Sequence, residues 1–226
     1  MRAVRQAGGQ AAHRGGDAGG LHECLRGNPA LVQRGPADFP AGRPAQPGFG
    51  RERELALMRW GLIPWWAKDG KIGFSTINAK AETLTTSPAF REAFERRRCL
   101  VPAEWFYEWV RVDPKTKQPF AIALKDQSIF AIAGLWESWK DKSTRERLYT
   151  YTIVTTDPNE VVAHLHNRMP VILSPKDYDR WLAPVDLAHL PIDLLRPFPA
   201  DMMTAWKVNK AVGKVKNDDS SLIAPI

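Results

Sequence analysis

Arg98-Cys99-Leu100-Val101-Pro102-Ala103-Glu104-Trp105-Phe106-Tyr107-Glu108-Trp109-Val110 is the stretch on which the fold class turns. Cys99 to Val101 is a short apolar run that reads as a strand. Phe106 to Val110 reads as another, and two-residue alternation sets Glu104, Phe106 and Glu108 on one face, opposite Trp105, Tyr107 and Trp109. Upstream, Ser87 to Arg97 predicts a helix, with Ser87 as N-cap, Pro88 at the first helical position, and Phe90 and Phe94 on one face. Leu55 to Trp60 predicts a strand that Gly61-Leu62-Ile63-Pro64 ends or bends. Downstream, Phe120–Leu124, Ile129–Leu135 and Tyr149–Thr155 continue the β pattern, and Asp113-Pro114-Lys115 marks a turn. Two further helices are expected, one opened by Asp157-Pro158-Asn159-Glu160 and running through Val162, the other from Pro175 to Trp181 with Ser174 as cap. The expectation is an α+β fold, a single domain with a mostly antiparallel β core and flanking helices.

That texture begins near residue 50. Residues 1–50 hold 11 of the 16 glycines and no Lys, Ile, Tyr or Trp, whereas all nine tryptophans lie beyond them. Without apolar periodicity there is little to offset the entropy of ordering, so residues 1–50 are read as a low-complexity segment, disordered or the product of a misassigned start or frame. The domain is placed at 51–226. Its composition, 44% hydrophobic and 25% charged, is that of an ordinary globular protein. Apolar runs are too short to span a bilayer and the start lacks a signal-peptide h-region, so a cytoplasmic protein without membrane partners is expected. Cys24 and Cys99 make neither a disulfide framework nor a zinc pattern, and Cys99 is expected to be buried. A formal charge of +7 suits a polyanionic partner or a solvated basic surface.

Three segments carry chemically capable side chains. In Ser75-Thr76-Ile77-Asn78-Ala79-Lys80-Ala81-Glu82, Asn78 could fix a ligand, Lys80 could meet a phosphate and Glu82 could orient either; a capped loop with solvated charges is the competing reading. Glu108, flanked by large aromatics, is easily desolvated, which raises a carboxyl pKa and suits acid–base work; the alternative is a surface salt bridge. In His164-Leu165-His166-Asn167-Arg168-Met169-Pro170, His166 can shuttle a proton and Arg168 can hold an anion. The two histidines lack a third ligand at suitable spacing, and neither a phosphate loop nor a serine-nucleophile elbow occurs, so no metal and no cofactor are expected.

The order Trp60-Gly-Leu-Ile-Pro-Trp-Trp66, Ile77-Asn78-Ala-Lys80-Ala-Glu82-Thr83, Arg98 to Trp109, His166-Asn-Arg-Met-Pro170 and Ala211-Val-Gly-Lys-Val-Lys-Asn217 resembles the SRAP family of abasic-site processing proteins. The match spans roughly residues 55–226. What it implies is an α+β fold with a basic groove for single-stranded DNA, and covalent coupling to the aldehyde of an abasic site. By resemblance, Asn78 positions the amine and sugar, Glu108 handles protons or holds the α-amine, and His166 assists ring opening and release. Lys80 stands where the family commonly has a phosphate-contacting arginine, Trp65 or Trp66 stacks on a base, and Arg168 and Lys214 line the DNA path. The implied partner is single-stranded DNA with abasic sites, met by a monomer that is nucleoid-associated when bound.

In the family the nucleophile is a cysteine at position 2, whose amine forms a Schiff base and whose thiol closes a thiazolidine. Here position 2 is Arg2, and Cys24 is internal and has no free α-amine. Three activities are therefore weighed: abasic-site crosslinking, noncatalytic binding of single-stranded or junction DNA, and a peptidase-like activity on a small molecule or peptide through Glu108 and His166.

Overall fold

In the computed structural model, residues 29–34, 54–184, 187–214, 217 and 219–226 are described. Among them, eleven strands run in chain order: β1 (Pro29–Arg34), β2 (Glu54–Trp60), β3 (Asn78–Lys80), β4 (Arg98–Ala103), β5 (Trp105–Arg111), β6 (Lys117–Leu124), β7 (Phe130–Lys140), β8 (Arg147–Thr156), β9 (Met169–Pro170), β10 (Ile172–Leu173) and β11 (Met203–Lys207). Three short helices accompany them, α1 (Arg91–Arg96), α2 (Glu160–Ala163) and α3 (Tyr178–Leu182). The α+β class expected from the sequence is what is observed.

Five strands close on themselves. β4 pairs β7, the far half of β7 pairs β8, β8 pairs β2, β2 pairs β1, and β1 returns to β4 through Gln33 and Arg34. Closure removes exposed edges, and the interior is filled. Met58, Trp60, Cys99, Val101, Ile132, Trp136, Tyr151 and Ile153 all belong to one buried cluster. Trp60 stacks on Tyr151 with ring centroids 6.2 Å apart. At Gly134 a Cβ would lie 2.9 Å from both Cys99 Sγ and Val101 Cγ2, so glycine is what the interior accommodates there. The alternate residues Leu100, Ala131, Ala133, Leu135 and Val154 pack outward with Phe94, Trp181 and Leu182, which belong to the flanking helices. Cys99 is buried, as expected.

The pairings are mostly antiparallel, as the alternation predicts, but β2 and β3 both run parallel to β8. A second sheet, β11-β6-β5, lies against the barrel. Its Phe106, Ile122, Leu124 and Met203 join the barrel's core cluster, while Tyr107 and Ala121 join Val208 and Val212 in another. Phe106 and Tyr107 thus face opposite ways, which bears out the alternation read in the sequence and turns Glu108 to the barrel side.

Three readings need correction. β1 lies inside residues 1–50, the segment given no strand; it brings only Leu31-Val32 as an apolar run, and its order comes from pairing with strands on both sides. The rest of that segment lies outside the described residues. The helix expected from Ser87 begins at Arg91: Ser87 to Phe90 form a turn, in which the amides of Phe90 and Arg91 both donate to Ser87 O at 3.1 and 2.8 Å. Similarly, Pro175–Asp177 is 3-10 and leads into α3, and Ser174 makes no side-chain cap bond. The Asp113 turn is as read, its Oδ1 accepting from the amides of Lys115 and Thr116, both at 2.8 Å.

Candidate functional site

β3 owes its position to two parallel contacts: its own pairing with β8, and the Trp60 Nε1–H, which donates to Ile77 O at 2.7 Å. That sets Asn78 opposite Ile153, with Ala79 fully buried and Lys80 exposed. Asn78 Oδ1 is buried and makes no hydrogen bond. An unpaired buried amide oxygen costs free energy unless a ligand or water group completes it, which makes it a docking point for an N–H or O–H donor.

Glu108 sits in the middle of β5, opposite Phe120, and is 2% exposed. It lies in the interior rather than on the surface. Burial pushes its carboxyl above the usual glutamate range, against the opposing pull of nearby positive charge. A carboxyl that holds its proton more tightly than usual is suited to donate it and take it back.

His166 follows α2, which Asn159 caps by accepting from Val162 N at 3.0 Å. Its own amide donates to Val162 O at 2.9 Å, and its Nδ1 accepts from the amide of Arg168 at 3.0 Å. Nδ1 also lies 3.1 Å from Arg168 O, to which the other tautomer would donate, and the ring is exposed.

Arg168 is more heavily engaged than its sequence reading suggests. It binds Glu82 through two parallel hydrogen bonds of 2.9 Å, meets Asp157 Oδ1 at 3.0 Å, and donates to Thr155 O at 2.7 Å. The guanidinium holds the Glu82 carboxyl below its usual range. This clamp fastens the turn after β3 to the end of β8 and to the His166 segment. It thereby links the elements carrying Asn78 and His166. Glu82 was singled out in the sequence as an orienting group, but Asp157 was read only as part of a helix start.

The remaining cations and the tryptophans are on the surface. Lys80 and Lys214 are both exposed, and the Lys214 amide closes the 3-10 turn Lys210–Gly213 on Ala211 O at 3.0 Å. Trp65 and Trp66 occupy the loop after β2 and are 57% and 45% exposed, unusual values for the largest side chain. Gly61 starts that loop at φ +107, where a Cβ would lie 2.3 Å from Gly73 O; the close approach of the two backbones demands glycine. The sequence missed Lys140, Lys142 and Arg145 on the β7–β8 hairpin, whose signal was only a basic turn beside no recognised motif.

The profile of the family described as SOS response associated peptidase (SRAP) matches residues 29–215. The chain is similar to the abasic site processing protein YoqW of Bacillus subtilis, 48% identical over 176 residues that cover 77% of this chain and 78% of that protein. It is similar to the abasic site processing protein HMCES of Gallus gallus, 32% identical over 202 residues covering 77% of this chain and 58% of that one. Among solved structures, a protein from Bacteroides thetaiotaomicron matches with a TM-score of 0.70 at 33% identity, covering 76% of this chain and 77% of that one.

Proposed function

The chain belongs to the SRAP family, and we propose that it is an abasic site processing protein that binds single-stranded DNA and works through Asn78, Glu108 and His166. The observation that carries this reading is the buried Glu108 carboxyl, raised by burial and within the field of His166. Imine formation at an abasic sugar needs such a group. The open-chain aldehyde accepts the lone pair of an amine at C1′ to give a carbinolamine. A protonated Glu108 gives its proton to the departing hydroxyl, water leaves and the iminium remains. Asn78 Oδ1 accepts a hydrogen bond from the attacking amine or a sugar hydroxyl, and His166 Nε2 exchanges a proton with the sugar during opening and release.

Thiazolidine closure needs an α-amine and a thiol on one residue. In a polypeptide starting Met1-Arg2, neither Cys24 nor Cys99 offers that pair. Such a chain is confined to a reversible imine through its α-amine or Lys80, and positioned amines of this kind promote β-elimination. A second reading, noncatalytic binding of single-stranded or junction DNA, is favoured by the formal charge of +7. No helix among the described residues is long and apolar enough to cross a membrane, and a monomer acting on DNA in the cytoplasm is the setting we propose.

A denaturing gel of the 226-residue polypeptide with abasic single-stranded DNA tests this. The expected result is no heat-stable adduct without borohydride, and an adduct trapped with borohydride that Asn78→Ala and Glu108→Ala diminish. A heat-stable adduct without reductant would refute the restriction to an imine. An unchanged trapped yield in both variants would remove the assigned site.

A further inference from the structure

His166 is carried by a segment that leaves α2 and returns into β9, and both ends of that segment meet at one buried residue, Asn159. All four polar atoms of Asn159 are engaged. Oδ1 accepts from the amide of Val162 at 3.0 Å, and the backbone carbonyl accepts from the amides of Val162 and Ala163 at 3.1 and 2.8 Å. Nδ2 donates to Phe198 O at 2.7 Å and to Met203 Sδ at 3.1 Å, and the backbone amide donates to Met169 Sδ at 3.2 Å. The contact to Met169 joins the segment's exit to its entry.

The contact to Met203 has a longer reach. Met203 opens β11, which belongs to the three-stranded sheet whose β5 carries Glu108. Val162, Met169, Phe198 and Met203 share one buried cluster with Phe106, two residues before Glu108. The Arg168 clamp, by contrast, reaches Glu82, Asp157 and Thr155, all on the side of β3 and β8. We propose that Asn159 is a positioning residue for the abasic-site reaction, which holds His166 in register with Glu108 by tying the His166 segment to β11. This rests on the roles proposed above for His166 and Glu108.

The cap alone does not require asparagine, since serine or aspartate caps a helix about as well. Donors and an acceptor on one short planar group do require it. Aspartate would turn a carboxylate oxygen toward Phe198 O, and serine has a single donor. Register matters because proton exchange takes place only within hydrogen-bond reach. In ring opening the C1′ hydroxyl loses its proton, the C1′–O4′ bond breaks to leave the aldehyde, and O4′ takes up a proton. A displaced imidazole cannot serve that exchange.

The test is a double-mutant cycle on the full chain with abasic single-stranded DNA, reading the single-turnover rate of borohydride-trapped adduct, with melting curves beside it. Asn159→Ser keeps an oxygen for the cap and removes both Nδ2 bonds. His166→Gln is expected to lower the saturated rate about a hundredfold, and Asn159→Ser about tenfold by misplacing the ring. The double variant should be no slower than His166→Gln alone, because nothing is then left to position. The DNA concentration giving half the maximal rate should stay unchanged in all of them. A further tenfold loss when Asn159→Ser is added to His166→Gln would make the effect one of general structure and overturn the proposal. A wild-type rate in Asn159→Ser would overturn it too, leaving the His166 role standing. An unchanged rate in His166→Gln would remove that role and the proposal with it. If Asn159→Ser does not melt cooperatively, Met203→Leu takes its place in the cycle, removing one Nδ2 acceptor at nearly constant volume. It should cost about threefold, the worth of a weak hydrogen bond, and nothing in the His166→Gln background; equal losses in both backgrounds, or none in either, would overturn the proposal.

Discussion

At Glu108 the needs of folding and of chemistry pull apart. Burial holds the folded-state pKa above the unfolded one, so folding takes up a proton. The group's favourable contribution is complete below the unfolded pKa and is lost as pH rises through the folded pKa. Glu108→Gln removes that titration and keeps the shape. The variant is expected to melt higher than wild type at pH 8, with the gap closing as pH falls below the ordinary glutamate range; Glu137, also raised by burial, is common to both proteins and cancels. A gap independent of pH, measured by thermal denaturation, would show that the carboxyl is not held protonated by the fold. A different separation applies to Arg168 and Lys80. The Glu82–Asp157–Thr155 clamp makes Arg168 a positioning residue. Arg168→Ala should reduce borohydride-trapped imine about tenfold by freeing the His166 segment, while the salt slope of single-strand binding stays unchanged. Lys80→Ala should flatten that slope by about 0.7, the share of one phosphate contact. Reversal of the two results, read by gel and anisotropy, would return Arg168 to the DNA path.

Arg98 shows how an element's ends can depend on one side chain from another. Its guanidinium donates to Phe94 O and Glu95 O at the end of α1, and to Trp181 O and Ala183 O at the end of α3, over distances of 2.6 to 2.8 Å. Helices this short leave most of their last carbonyls without intrahelical partners. Arg98→Ala should therefore destabilise the protein by about 3 kcal/mol or more, since hydrogen bonds to charged groups contribute roughly 1.5–3 kcal/mol each and buried carbonyls would lose theirs. Urea denaturation measures it, and a loss below 1 kcal/mol would mean that water replaces the guanidinium. The sequence marked Arg98 only as the first residue of a motif. Strands were legible because local alternation survives in Phe106–Val110 and Leu55–Trp60. Helix starts were less so, because Ser87-Pro88 suits a turn as well as an N-terminus. The clamp was invisible for a physical reason: Arg168 and Glu82 lie 86 residues apart, and no periodicity encodes a pair that only the parallel β3–β8 contact brings together. Asn78, Glu108 and His166 were named from their chemistry and given roles by a family resemblance, whereas the connection through Arg168 is a property of the fold.

The whole molecule is organised by ring closure, and closure depends on a strand with few large apolar residues of its own. β1 lies between β2 and β4, with Pro29 to Arg34 opposite Arg59 to Glu54, and Gln33 and Arg34 opposite Leu100 and Cys99. Composition alone puts the start of the domain at residue 51, yet a chain beginning there would open the barrel along β2 and β4. Both strands would then present unpaired amides and carbonyls, and the core residues Met58, Trp60, Cys99 and Val101 would lie next to the gap. Open edges beside apolar surface lead to strand addition between chains. We propose that the domain starts at residue 29, and the prediction concerns two truncations. A polypeptide of residues 29–226 should melt cooperatively and stay monomeric. A polypeptide of residues 51–226 should aggregate or melt without a sharp transition, and a synthetic peptide covering residues 27–36 should restore solubility in trans by supplying the missing strand. Within the full chain, Gln33→Pro removes an amide where β1 is paired on both sides, and should cost about 3 kcal/mol. Size-exclusion chromatography and calorimetry on these four samples decide the matter. A cooperative, monomeric 51–226 chain, together with a Gln33→Pro protein that melts like wild type, would show that the barrel closes without β1 and that the domain begins where its composition changes.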